Sequence, residues 1–287
     1  MYHNNRQHAD MRSRTRSKEC SMPVVPRAFP GFSHVYRYRR YIWKNAWNDI
    51  RYRYAGTSMG MFWNVLHPLV EILIYTLVFS WIFPARARGR SYRLYLIMGI
   101  LLWRCFSELI QRGSSSLAEH SRYLKRLNIP PEVFIAKSAL SATLILILYV
   151  VLFVPISALA GNPIHWKLVF LPVFLVLLQG LAFGITLSSA NLQVLFPDTK
   201  EFISAVMPLW RWTLPLIYPE TVLPEGLRAW LFLNPPYLFI QSIRRLVLEG
   251  EFPGVFEGTG MILWLVIAAG IGVIVNQQLR VDVKDTV

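Results

Sequence analysis

Residues 138–159 read SALSATLILILYVVLFVPISAL, twenty-two positions without a charge. At 1.5 Å of rise per residue, a helix of that length crosses the ~30 Å hydrocarbon core of a bilayer. One such run also suits a buried core helix. Outward from it lie five more: Phe62–Phe83, Leu94–Ile110, Leu168–Ala190, Phe202–Tyr218 and Gly258–Val275. Six in series leave no room for a soluble core. Of the 287 residues 54% are hydrophobic, the mean hydropathy is +0.38 and only 16% are charged, against about 25% in soluble domains. The expected architecture is therefore an all-α membrane protein with six transmembrane helices.

The net charge of +14 gathers at the chain ends and between the apolar runs, the arrangement of membrane proteins. No aromatic-interleaved basic face points to nucleic acid as a partner. Cys20 and Cys105 make neither a disulfide framework nor a metal site. Residues 1–33 are polar and basic and lack the apolar segment of a signal peptide; a disordered cytoplasmic tail is expected there, with the remainder, 34–287, forming the membrane domain. Residues 1–61 carry twelve Lys/Arg against three Asp/Glu, which sets the N-terminus in the cytoplasm, and six spans return the C-terminus there. Arg86, Arg88, Arg90 and Arg93 then fall on an outer loop, against the charge rule.

Two regions are not spans. In Tyr36–Tyr54, the residues Trp43, Ala46, Trp47, Ile50 and Tyr54 repeat at helical spacing, with Arg40, Lys44, Asn48 and Arg51 on another face. That predicts an amphipathic helix lying in the membrane interface; a peripheral soluble helix is the competing reading. Between Pro219 and Gly254, two short amphipathic pieces, Glu225–Leu233 and Tyr237–Leu248, flank Asn234-Pro235-Pro236. Neither is long enough to cross, so each is expected to be a re-entrant or interfacial half-helix lining or capping a cavity, where non-helical backbone is tolerated.

The sequence holds no G-x-x-x-x-G-K-[ST] loop and no H-E-x-x-H. Transport driven by ATP would need another chain as motor. His67 and Glu71 lie one turn apart, as do Arg104 and Glu108. They read either as a proton relay or as interior ion pairs, Glu71 with an arginine on another helix included. Tyr75, Phe79, Phe106, Trp210 and Trp212 fall mid-helix; aromatic faces stack on sugar rings, and helix packing or lipid contact is the alternative use.

The run Trp43-x5-Asp49-Ile50-Arg51-Tyr52-Arg53-Tyr54-x4-Met59-Gly60-Met61-Phe62-Trp63-x3-His67-Pro68 resembles the opening of type-2 ABC exporter permeases of bacterial surface polysaccharides. Leu124-Lys125-Arg126-x-x-Ile129-Pro130, Pro197-Asp198 and Leu233-Asn234-Pro235 follow in the family's order, and the resemblance covers roughly residues 36–280. It implies a homodimeric inner-membrane permease, not itself an enzyme, paired with two copies of an ATPase that binds ATP and Mg. Glu119, Ser121, Arg122 and Lys125 would lie in the coupling segment that docks on the ATPase, with Asp198 and Lys200 nearby. The substrate would be capsular polysaccharide, O-antigen or teichoic acid. The outer arginines favour an acidic capsular polymer or a periplasmic accessory protein, and the basic tail would touch membrane lipids. A small-molecule or lipid exporter, a proton-coupled carrier and a membrane glycosyl- or acyltransferase are the alternatives.

Overall fold

The computed structural model describes residues 35–82, 90–120, 129–159, 161–218 and 220–286, and these are helical, with no strand among them. In chain order the helices are α1 (Arg39–Tyr52), α2 (Trp63–Ile82), α3 (Arg90–Glu119), α4 (Pro131–Leu159), α5 (Leu171–Leu195), α6 (Thr199–Trp212), α7 (Glu225–Leu231), α8 (Pro235–Arg244) and α9 (Val255–Thr286). The described residues belong to one unit, His34–Val287.

Four helices are long and apolar enough to cross a membrane: Tyr92–Glu119, Pro131–Leu159, Trp166–Leu195 and Val255–Leu279. Helix α2 has 20 residues, about 30 Å. The apolar pattern placed the helices well and their ends poorly. Helix α3 runs nine residues past Ile110, through Gly113-Ser114-Ser115-Ser116, because those small residues are buried and their hydroxyls find partners. Ser114 and Ser116 donate to carbonyls three residues back, and Ser115 pairs with Gln193 of α5. Helix α4 begins at Pro131, where a proline's missing N–H costs nothing.

The expected fifth span is the clearest departure. Helix α6 stops at Trp212 after 14 residues, about 21 Å. Residues 213–218 turn away instead of continuing to Tyr218. The two short pieces are α7 and α8, and a π-helical turn, Arg245–Glu249, extends α8. Pro235 and Pro236 occupy its first turn.

Helix α5 is the centre, packed against α9, α3, α4 and α8. It crosses α9 backbone to backbone. A Cβ on Gly184 would stand 2.6 Å from the Ala268 carbonyl carbon, and one on Gly272 2.7 Å from the Gly184 oxygen. Small residues permit such close approach where lipid removes any hydrophobic drive between helices. A buried polar chain stands nearby: Asn191 donates to Asn276 and Asn276 to Glu132, both at 3.1 Å. The outward faces are apolar, with Val151, Val176, Leu263 and Val266 exposed, as lipid contact requires.

Helix α1 forms within the expected amphipathic segment. Its buried stripe is Ile42, Ala46 and Ile50; Ile42 packs with Val133 and Ala136 of α4, and Ile50 joins the main core. Trp43 and Trp47, assigned to the same apolar face as Ala46 and Ile50, stand exposed beside Arg40, Lys44 and Arg51.

Candidate functional site

Three polar constellations interrupt the apolar bundle. The first holds α1 to the spans. Asp49 meets Arg112 at 3.1 Å, Arg53 at 3.6 Å and Lys137 at 3.7 Å, while Glu108 pairs with Arg53 and with Arg112 at 3.5 Å. Ser141 of α4 donates to the Ala46 carbonyl at 3.3 Å. Burial alone would raise the Asp49 carboxyl, but Arg112, Lys137 and Arg53 outweigh it and hold it below its ordinary value. Glu119 and His120 line a small cavity at the same place.

The second constellation holds the bent segment after α6. Arg244 of α8 is fully buried and donates to the carbonyls of Pro215 and Leu216, both at 2.8 Å. Its guanidinium stacks on Tyr95 at 3.6 Å. Tyr95 donates to the Pro215 carbonyl at 2.9 Å and Tyr92 to that of Ile217 at 2.6 Å. Backbone acceptors that no helix satisfies thus receive donors from α3 and α8, the condition for irregular chain away from water. Gly99 leaves the space the guanidinium fills: a Cβ there would collide with it. Asn234 performs the same service at the end of α6, accepting from the Trp210 indole at 2.8 Å and donating to Thr213 at 2.9 Å.

The third lies on the face shared by α2, α3 and α6. Glu71 accepts from Arg104 at 2.9 Å and from Arg211 at 2.8 Å. Arg211 also stands over the Tyr75 ring at 4.7 Å. A charge at membrane depth costs roughly 2.5–3.5 kcal/mol on insertion scales, and one carboxylate here answers two guanidinium groups. Nε of Arg104 and both Nε and Nη2 of Arg211 have no acceptor. The spacing that paired Arg104 with Glu108 and His67 with Glu71 misled. Arg104 reaches across to α2, Glu108 turns to Arg53, and His67 stays exposed at 3.4 Å from the Tyr54 hydroxyl. The interior ion pair between helices is the reading that holds, and only the Glu71–arginine half of it was legible.

An open cavity of about 500 Å3 lies at the turn between α1 and α2, lined by Tyr54, Thr57, Ser58, Met59, Trp63 and His67. Gly56-Thr57-Ser58-Met59-Gly60 spells G-x-S-x-G by letter, a match the sequence reading missed. A nucleophile elbow needs a strand leading into the serine; here helix α1 and a series of turns lead in.

The other candidate residues scatter. Phe106 is wholly buried among Trp103 and Trp210 at 5.5 and 5.8 Å; it fills the protomer's core and offers no face to a passage. Trp210 is half-buried, Tyr75 half-buried under Arg211, and Trp212 exposed. The side chains of Phe79 and Arg90 lie outside the described residues, as do Arg86, Arg88, Ser121, Arg122 and Lys125. Arg93 is exposed at the start of α3. Asp198 and Lys200 are exposed, Asp198 standing just before the first turn of α6, while Glu119 ends α3. Among the described residues no group of His, Cys, Asp and Glu is arranged to hold a metal.

Residues 40–248 match the family model described as ABC-2 type transporter. The "O-antigen export system permease protein RfbA" of Myxococcus xanthus is 24% identical over 221 residues, covering 76% of this chain and 84% of the relative. A protein of the same name from Klebsiella pneumoniae is 24% identical over 223 residues, with 76% and 85% covered. The "Polysialic acid transport protein KpsM" of Escherichia coli is 23% identical over 205 residues, with 70% and 79% covered.

Proposed function

The chain belongs to the ABC-2 type transporter family, and on that premise we propose that it is the permease of an ATP-driven exporter of a bacterial surface polysaccharide. The observation that carries this reading is the alignment of about three-quarters of the chain with O-antigen export permeases, over more than four-fifths of their length. The multi-pass helical bundle and the missing nucleotide loop fit a subunit whose ATP and Mg sit on a partner ATPase.

In this reading two copies form the conduit and two ATPases dock beneath. The segment from Glu119 through Ser121, Arg122 and Lys125, with Asp198 and Lys200, transmits the stroke. Six crossings result when α2 and α6 join the four long spans, with α6 completed by the bend at 213–218. Helices α7 and α8 are the re-entrant pair before the last crossing. The protein sits in the inner membrane with both termini in the cytoplasm, and the basic tail meets anionic lipid. Trp210, Trp212, Tyr75 and Phe79 remain channel candidates; buried Phe106 does not.

The cargo we favour is an acidic capsular polymer, met outside by Arg86, Arg88, Arg90 and Arg93 or passed there to a periplasmic accessory protein. A polysialic acid transporter among the relatives supports it. O-antigen is the second reading, supported by the two relatives with the larger coverage. Deleting the gene and typing the surface glycans separates them: loss of capsule with O-antigen intact fits the first, the converse the second. Co-purification of a Walker A ATPase with the tagged chain is the expected companion result. A deletion that leaves all surface glycans in place sinks the transport reading.

A further inference from the structure

The Glu71–Arg104–Arg211 constellation does more than join helices. All three side chains keep some exposure: 22% for Glu71, 30% for Arg104 and 18% for Arg211. Arg211 sits in the last turn of α6, while Glu71 and Arg104 lie inside α2 and α3. Glu71 is eight residues from the start of α2, about 12 Å. Arg211 is twelve from the start of α6, about 18 Å. The charge does not close locally. Adding the neighbouring cluster gives Asp49, Glu71 and Glu108 against Arg53, Arg104, Arg112, Lys137 and Arg211, three acids and five bases.

A surplus cation facing hydrocarbon is disfavoured, and charged groups at this depth face a bundle interior or a water-filled passage. An arginine pair sharing one carboxylate leaves planar donor edges unfilled; Nε of Arg104 and Nε and Nη2 of Arg211 are enclosed and lack an acceptor, so an anion that displaces Glu71 would find donors already desolvated. Tyr75 and Arg211 form one cation–aromatic surface. We propose that Arg104 and Arg211 form an anion-binding site on the α2–α3–α6 face that takes a carboxylate or phosphate group of the exported glycan, with Glu71 as the internal counter-ion it displaces. The inference rests on the exporter reading and names the chemistry its passage recognises.

The test uses the full-length chain in nanodiscs, titrated with three probes: oligosialic acid, inorganic pyrophosphate and neutral dextran. Oligosialic acid stands for carboxylates along a polymer, and pyrophosphate for the phosphates of a lipid-linked end. At least one anion is expected to bind, and dextran not at all. Whichever anion binds identifies the source. Arg104→Gln and Arg211→Gln are each expected to weaken that binding at least tenfold. Glu71→Gln, which removes the competing carboxylate and keeps both cations, is expected to tighten it several-fold. Equal binding of dextran, no binding of either anion, or unchanged binding in the arginine variants overturns the proposal. If the arginine variants do not fold, Glu71→Gln decides alone: tighter binding supports the site, and unchanged or weaker binding overturns it. The transport reading fails separately. It falls if gene deletion spares the surface glycan, whereas full complementation of a deletion by both arginine variants removes only the anion site.

Discussion

Two arginines of this bundle are used in opposite ways. Arg244 makes no ion pair among the described residues, yet both its terminal nitrogens are used on the carbonyls of Pro215 and Leu216, and its plane rests on Tyr95. Arg211 has a carboxylate and still leaves two nitrogens without acceptors. The first is enclosed and fixes backbone; the second keeps some exposure and holds charge in reserve. Counting ion pairs alone would rank them in reverse.

The largest effect that can break this contrast is Arg244→Leu. It strips the donor from the buried Leu216 carbonyl, worth about 1–3 kcal/mol when left unsatisfied, while the Pro215 carbonyl keeps the Tyr95 hydroxyl. The melting temperature of the detergent-purified protein should fall by several degrees. Arg244→Lys should rescue little, since a compact ammonium cannot serve both carbonyls and the ring. A near-normal melt for either variant would dissolve the distinction.

Asn234→Ala comes next. It removes the acceptor of the Trp210 indole and the donor to Thr213, for a loss of about 1–2 kcal/mol. Hydrogen exchange should quicken at the end of α6 and around residues 213–218 while α5 and α9 stay protected.

Arg211→Gln sharpens the contrast from the other side. Glu71 keeps Arg104, so no carboxylate is orphaned and the thermal loss should be no more than about 1 kcal/mol. A collapse as large as that of Arg244→Leu would make both arginines structural.

Acid supplies the smallest effect. Asp49 titrates below its ordinary 3.8 in the folded protein, so the stability it lends α1 is complete above that value and drains away as the pH falls through the folded value. Trypsin should therefore leave α1 intact at pH 5 and, after a brief exposure to acid well below the ordinary 3.8 and crosslinking, find it released from α4. Release already at pH 5 would contradict the assigned direction.

Long apolar runs were legible because period and length alone identify them: Ser138–Leu159 needs no tertiary knowledge. The prolines at 130–131 were read as able to start a helix, but α4 and α8 begin at Pro131 and Pro235, earlier than the expected Ser138 and Tyr237. Helix ends were not legible where packing decided them. Gly113–Ser116 looks like loop until α5 is seen against it. The cut at Trp212 depends on Arg244 and Tyr95, thirty or more residues away from it in sequence. The Glu71–arginine pair was visible as a possibility, since a lone acid at depth must find a cation. Which arginine could not be read, because same-helix spacing favoured Arg104–Glu108 while the fold gave Arg104 to α2. The amphipathic helix around Trp43 and Trp47 was legible from period, but which of its residues pack on α4 was not.

The crossing of α5 and α9 through Gly184 and Gly272 leaves no side chain between the two backbones. Such a joint has almost nothing to compress and nothing to repack. The two helices are therefore expected to turn and translate as one stiff strut. Helix α2, whose outward row Leu69, Leu73, Leu77 and Trp81 is uncovered, has the freedom the strut lacks. Any opening stroke should then be sought as the movement of α2 past a stationary axle, with the kinematic freedom of the subunit confined to the side where its charge is unbalanced.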